Sequence, residues 1–536
     1  MILLLVRSRL RADLWQLVGW VLGLAVTTSL VTVQVAATFP TGAARAATLR
    51  VLLATPVVLV FGGTPDGASA GAFLTALSLS FVAFLVGMMN VFLVTRHSRA
   101  AEESGLGDTL SSTATARTGP VVSVLLFVVA WNAIAGVAVA SGTALTAEPP
   151  GGSMLFGAAC AGTGVGTAGV VLLLAQFFPS GRATNATGAI VLVAWYFIRG
   201  IGDATGTADM RTLVLRPSWV SWASPIGWAQ ATRPFGEQSL WPLVLGPTLF
   251  VAAGVGAVVT AGRRDVGSAT IGHRPGRADA RLWLRGAFGL AVRLDRAVLV
   301  TWTIAILAFS ALVGSLSGVV TDQLTSVSPA VTRTITAMGG GAQDVSESFV
   351  RLGAETIGVL VSAMCVQGAL RLRREEASAR ADLRIVSGAS RTAWFFAFAA
   401  LPGAVAAVVL LLSGLVAAVA AGEVGGTSAP WATAPLGQLP AVLVMLAVSA
   451  FVLAIVPRTS VALAWSLYAA AAFVGEYGSI AGLPESLRRL SPFEHVVDPF
   501  HTGPSVAAAV AITAGALVVV GISALAMRFR DTGSDH

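Results

Sequence analysis

The chain alternates long apolar runs with short polar breaks. A helix needs about 20 apolar residues to cross a bilayer. Six runs of about that length precede residue 265, near 15–37, 71–95, 119–141, 153–178, 186–203 and 243–262. Six more follow, near 298–320, 353–370, 393–421, 435–456, 460–478 and 503–527. In hydrocarbon every backbone N–H and C=O must be satisfied within the segment, so runs of this length predict helices. The expectation is an all-α membrane protein of about twelve transmembrane helices.

The pattern recurs. Arg264-Asp265-Val266-Gly267-Ser268 closes the first set of six, and Arg530-Asp531-Thr532-Gly533-Ser534 closes the second. Ser224-Pro225 returns as Ser491-Pro492, each before the last span of its half. Glu102-Glu103 with Arg117-Thr118 returns as Glu375-Glu376 with Arg391-Thr392. Anchors in the same order and the same orientation predict two tandem six-helix repeats related by a pseudo-two-fold axis along the membrane normal. The division expected is 1–262, a cytoplasmic linker with an interfacial helix over 263–297, and 298–536. Leu282, Trp283, Phe288, Leu290 and Leu294 lie among arginines in that linker, which suits snorkelling at an interface.

Composition agrees with the pattern. Hydrophobic residues make up 55% and charged residues 11%, and the mean hydropathy is +0.80. Soluble domains carry roughly 25% charged residues, so an ordinary soluble enzyme is excluded. The first apolar run follows Arg7, Arg9 and Arg11 and is long enough to span, so it reads as a first helix rather than a cleaved signal.

Charge sets the orientation. Every one of the 34 basic residues is arginine, and the net charge is +8. With the N-terminus inside, about 24 of the arginines fall on cytoplasmic segments, the direction of the positive-inside bias. Both termini are then cytoplasmic. Without lysine the chain has no phosphate loop of the Gly-x-x-x-x-Gly-Lys type. Gly164-Val165-Gly166-Thr167-Ala168-Gly169 matches a dinucleotide pattern, but it lies inside an apolar run and reads as close helix packing. Gly339-Gly340-Gly341-Ala342-Gln343 falls in an outer loop. Cys160 and Cys365, the two cysteines, read as buried thiols. Glu494, His495, Asp498 and His501 have a spacing that permits metal ligation, but they occur in one half only and read as an interfacial turn.

The segments 96–118 and 371–392 carry the densest charge. Arg99 with Glu103, Arg371 with Glu375, and Glu376 with Arg380 are spaced i,i+4. A solvated hairpin is the plain reading. Recurrence after the second span of both halves favours a docking surface for a soluble partner. The outer segments 38–70 and 321–350 read as helices on the outer leaflet or as lids. Ionisable residues within spans are functional candidates by default. Arg199 and Asp203 lie at the outer end of the fifth span, Glu476 at nearly the same place in the eleventh, and Glu355 near the outer end of the eighth. Aligning Phe197 with Phe473 brings Arg199 and Glu476 to nearly the same repeat position. That suggests an outer gate between them, against separate snorkelling of each.

These features resemble the permease of an ABC-2-type exporter. Glu375-Glu376 followed by Ala381-Asp382-Leu383, with Ser491-Pro492-Phe493-Glu494-His495, is similar to the fused, double-length permeases of actinobacteria identified as tetronasin or polyketide-antibiotic exporters. The first half departs, with Ser224-Pro225-Ile226-Gly227-Trp228 and no histidine. The resemblance implies a permease in the bacterial cytoplasmic membrane that moves hydrophobic drugs or antibiotics outward. It implies no cofactor or metal in this chain. ATP and Mg would be bound by a separately encoded ATPase, two copies per permease, docked on cytoplasmic coupling helices. Carried over, those helices hold Arg99, Glu102, Glu103 and Asp108 in the first half and Arg373, Glu375, Glu376, Arg380 and Asp382 in the second. Two other classes compete: a proton-driven 6+6 transporter, which needs carboxylates near mid-membrane, and a lipid-linked glycosyltransferase, for which Asp203 and Asp209 are the available acids.

Overall fold

The computed structural model describes residues 2–105, 118–146, 150–265, 268–271, 286–318, 345–377, 390–423, 430–478, 483–497, 500 and 506–529. The chain forms two compact units, Met1–Gly276 and Arg277–His536.

The helices of the first unit are α1 (Ile2–Ala12), α2 (Leu14–Thr38), α3 (Gly42–Ala54), α4 (Pro56–Phe61), α5 (Ala70–His97), α6 (Arg99–Glu103), α7 (Gly119–Thr143), α8 (Pro150–Phe177), α9 (Gly181–Ala204), α10 (Pro225–Ala231) and α11 (Leu245–Arg263). The second unit holds α12 (Ala287–Gly318), α13 (Val345–Ala369), α14 (Arg371–Ala377), α15 (Arg391–Ala420), α16 (Leu439–Ile455), α17 (Ser460–Tyr477) and α18 (Val506–Phe529). Among the described residues eleven helices are long and apolar enough to cross a membrane. The eleventh expected span, near 460–478, forms a shorter apolar helix over Ser460–Glu476. The protein is an all-α membrane protein, with one small hairpin among the described residues, β1 (Thr207–Asp209) antiparallel to β2 (Val214–Arg216).

The same pairs of helices pack in both units. In the first, α2 lies on α5 and α7, α5 on α8 and α9, and α8 on α7 and α11. In the second, α12 lies on α13 and α15, α13 on α16 and α17, and α16 on α15 and α18. The central helices α5, α8, α13 and α16 bury most of their length, whereas α2, α11 and α18 expose rows of large apolar side chains such as Val251, Val255 and Val259, or Leu517, Val518 and Leu525. In water such rows would drive association; facing lipid they are in a matching solvent.

The core of the first unit contains one mid-helix polar pair. Asn90 on α5 and Asn132 on α7, both fully buried, exchange two hydrogen bonds, with Nδ2 to Oδ1 distances of 2.9 and 2.8 Å. Each amide also donates to its own helix, to the Val86 and Val128 carbonyls. Nearly all their donors and acceptors are used, as a lipid-embedded amide requires.

The segment 38–70 folds into α3 and α4. Thr41 caps α3 by accepting the Ala44 N–H at 3.2 Å, and Leu49, Leu53 and Leu59 pack with Phe73, Leu213 and Leu215. Most of its counterpart, 319–344, lies outside the described residues. The linker reads differently from expectation at its end. Residues 287–318 are one continuous helix, so Arg293 and Arg296 occupy its first turns rather than a separate interfacial helix. A run of apolar residues marks where a helix can span, not where its polar ends stop.

Candidate functional site

The charged hairpin of the first half begins where α5 ends at His97 and α6 follows. Arg99 is 2% exposed. Its guanidinium donates to Glu102 Oε2 at 2.7 Å, to the Ser268 carbonyl at 2.8 Å and to the Pro179 carbonyl at 3.2 Å. Glu102 also takes two hydrogen bonds from Arg264, at 2.5 and 3.0 Å, and Arg264 is held by Gln176 Oε1 at 2.9 Å. The pairing is therefore i,i+3 to Glu102, not i,i+4 to Glu103. The carbonyls of Pro179 and Ser268 draw Arg99 inward, and Glu103 is left exposed. Asp108 lies outside the described residues.

In the second half Arg371 pairs with Glu375 at 3.2 Å, the expected i,i+4 spacing, and both are buried. Arg371 also approaches Asp295 at 3.9 Å. Arg373 pairs with Glu376 at 3.9 Å, and Arg374 is exposed. Arg380 and Asp382 lie outside the described residues.

Two acids missed in the sequence anchor these hairpins. Asp13, at the start of α2, is 3% exposed and meets Arg96 at 2.6 Å and His97 Nε2 at 2.7 Å. Asp295, on α12, is 3% exposed and faces Arg371. Each unit thus buries one acid from the start of its first span against basic residues at the end of its second. The signal was present in the sequence: each is a lone acid among arginines shortly before a long apolar run.

At the C-terminal end of α9, Arg199 and Asp203 are fully buried and joined at 3.0 Å. Arg199 also donates to the carbonyls of Gly62 at 2.5 Å and Val60 at 3.0 Å, closing the C-terminal end of α4. A cation at the carbonyl end of a helix is favourable. Its guanidinium lies 4.5 Å from the Tyr196 ring, and the Tyr196 hydroxyl donates to the Phe61 carbonyl. Gly200 passes so close to Val60 that a Cβ would overlap its backbone.

Glu476 lies in the second unit, 7% exposed, with Oε1 lacking a hydrogen-bond partner among the described residues. Glu355 on α13 sits beside Gly475. Tyr468 donates to the Val359 carbonyl at 3.0 Å, as Tyr196 does to Phe61. The Ser-Pro anchors also match in detail. Ser224 Oγ accepts the Ile226 N–H at 3.2 Å and Ser491 Oγ accepts the Phe493 N–H at 3.3 Å, opening a short helical turn in each unit.

The other candidates separate. Asp209 is exposed on β1 and accepts the Arg211 N–H, whereas Asp203 is buried on Arg199, so the two acids face different surroundings. Glu494 pairs with Arg488 at 2.8 Å, and the His495 ring bonds the Arg489 carbonyl at 2.7 Å. Asp498 and His501 lie outside the described residues. Gly164, Gly166 and Gly169 all lie in α8, where Gly164 abuts Asn132 and Asn90, Gly166 abuts Gly246, and Gly169 abuts Phe250.

Residues 284–528 match the family described as the multidrug efflux system permease Rv1217c, C-terminal domain. The multidrug efflux system permease protein Rv1217c of Mycobacterium tuberculosis is 33% identical over 500 residues, which cover 92% of this chain and 88% of that protein. An alignment of that length runs through both units, and it joins a helical architecture built to cross a membrane many times. The chain belongs to the Rv1217c family of multidrug efflux permeases.

Proposed function

We propose that this chain is the permease subunit of an ATP-driven ABC exporter that moves hydrophobic drugs or antibiotics out of the cell. A separately encoded ATPase, two copies per chain, would supply the energy from the cytoplasmic side of the bacterial inner membrane, with both termini on that side. The observation that carries this reading is the short charged helix directly after the second span of each unit, α6 and α14. Each is braced to its own unit by buried charge, through Arg99 and Glu102 in one and Arg371 and Glu375 in the other, while Glu103 and Arg374 remain exposed. A rigid base with exposed charge suits transmission of a push from a docked partner. The parallel repeat, supported by the matching helix pairs, would give one docking helix to each ATPase.

The direct test is reconstitution. The purified chain alone is expected to hydrolyse no ATP, and to do so once its ATPase is added. Robust hydrolysis by the chain alone would refute the proposal.

The bracing also separates two neighbouring residues. Glu103→Ala combined with Arg374→Ala is expected to lower capture of the ATPase and transport while leaving the yield of folded permease near wild type. Glu102→Ala is expected to lower the yield itself, because it removes the carboxylate that Arg99 and Arg264 share. Pull-down and size-exclusion chromatography on the same preparations check both. Equal effects of the two changes on folded yield would contradict this division.

A further inference from the structure

A cavity of about 140 Å³ lies at the C-terminal end of α2, between Val35, Ala36 and Phe39 of that end, Arg45 of α3, and Ala70 and Leu74 of α5. Ala36 and Ala70 are exposed, so the cavity reaches the surface of the unit. Its wall offers little to water. Thr32 also borders it, but the Thr32 hydroxyl is engaged within its own helix, donating to the Thr28 carbonyl at 2.6 Å. The Phe39 and Pro40 carbonyls are taken by Arg45. An ordered water needs two to four polar partners, whereas an apolar cavity of about 150 Å³ stays dry and accepts an apolar guest.

Arg45 is the exception in this wall. Its Nε donates to the Ala68 carbonyl at 2.9 Å, and its Nη1 to the Phe39 carbonyl at 2.9 Å and the Pro40 carbonyl at 3.3 Å. Those bonds hold the guanidinium in place and use three of its five N–H groups. The two on Nη2 make no hydrogen bond among the described residues. All three partners are neutral. Asp66 is the one acid in the segment 38–70, and Arg233 pairs with it at 3.3 Å. Arg50, the other arginine of α3, is exposed, and neither arginine has a carboxylate partner among the described residues. A positive charge is thus fixed beside an apolar cavity without a counter-charge.

The place in the fold says what can meet both features. The 25 residues of α2 are enough to cross a hydrocarbon layer of about 30 Å, so its end lies at the level of the lipid headgroups. Val26, Leu30 and Val33 on the same helix are exposed and meet acyl chains in a bilayer.

We propose that this cavity binds one phospholipid, with a phosphate oxygen on Arg45 Nη2 and part of an acyl chain between Val35, Phe39 and Leu74. A guanidinium suits phosphate oxygens, and an uncompensated cation favours headgroups of net negative charge, such as phosphatidylglycerol, over zwitterionic ones. An uncharged or cationic guest gains nothing from Arg45. The lipid would tie the end of α2 to α3 and to the start of α5, apart from the ATPase docking proposed above.

The test uses the full chain, delipidated in detergent. Dioleoyl phosphatidylglycerol is expected to raise Tm saturably, by about 2 °C or more. Dioleoylglycerol has the same chains and no phosphate; its half-saturating concentration is expected to be at least about fivefold higher, with dioleoyl phosphatidylcholine in between. Inorganic phosphate is expected to have no effect. Arg45→Gln should bring phosphatidylglycerol level with dioleoylglycerol. Ala36→Leu, which narrows the cavity and leaves Arg45 in place, should weaken both lipids at least about fivefold. Equal half-saturation by the two lipids on the wild type, or a phosphatidylglycerol response unchanged in both variants, would overturn the site. A response to inorganic phosphate matching that to the lipid would equally overturn it, leaving Arg45 as a site for a free anion.

Discussion

Replacing Arg199 by alanine is expected to destabilise the first unit by about 3–5 kcal/mol, the usual consequence of removing one member of a buried ion pair. The side chain is fully buried, and its loss leaves the Asp203 carboxylate without its charge partner. It also frees the carbonyls of Val60 and Gly62 at the end of α4. Arg199→Ala with Asp203→Ala is expected to be more stable than Arg199→Ala alone, because the stranded charge goes with its partner. Lysine is a poor substitute, since a point charge cannot span Asp203 and two carbonyls as a planar fork does. Thermal denaturation of the three variants in detergent checks the order.

Gly164→Val is expected to destabilise the first unit by roughly 2–4 kcal/mol, from overpacking and lost interhelical hydrogen bonds. A Cβ at Gly164 would overlap Asn132 Oδ1 and lie 2.8 Å from Asn90 Nδ2 and 2.7 Å from Val86 Cγ1. The reciprocal amide pair then has to part, with no water to take its place. Two residues away, a Cβ on Gly162 meets nothing within 4 Å. Gly162→Ala is therefore expected to stay within about 0.5 kcal/mol of wild type. Comparing Tm for the two substitutions tests the packing directly. Similar losses from both would show that α5, α7 and α8 do not meet as described.

The reading of the hairpins shows where sequence reasoning stops. Glu102 and Glu103 are adjacent and chemically identical, and both were read as docking charges. Their fates differ because successive residues on a helix point about 100° apart, and because Arg264, 162 residues away, reaches only Glu102. Spacing rules for helices describe the helix alone. They favoured Arg99 with Glu103; a carbonyl from Pro179 and another from Ser268 made Glu102 the partner instead. In the second half, where Arg371 and Glu375 pair within one helix, the same rule held.

The spans were legible because their physics is local. An apolar run of sufficient length has one stable conformation in hydrocarbon, so composition over a window is enough. The close packing of the α8 glycines followed from their position inside a span. What partners a buried polar group was not legible, because that partner is set by contacts distant in sequence. The Asn90–Asn132 exchange, the capture of Asp13 by Arg96, the seat of Arg199 on α4 and the hydrogen bond from Gln230 to Ser80 each join residues at least about 40 positions apart. The sequence by itself determined that polar groups would be few and would need partners. Tertiary structure chose the partners, because in a medium without water a polar atom can be satisfied only by whichever chain segment the packing brings to it.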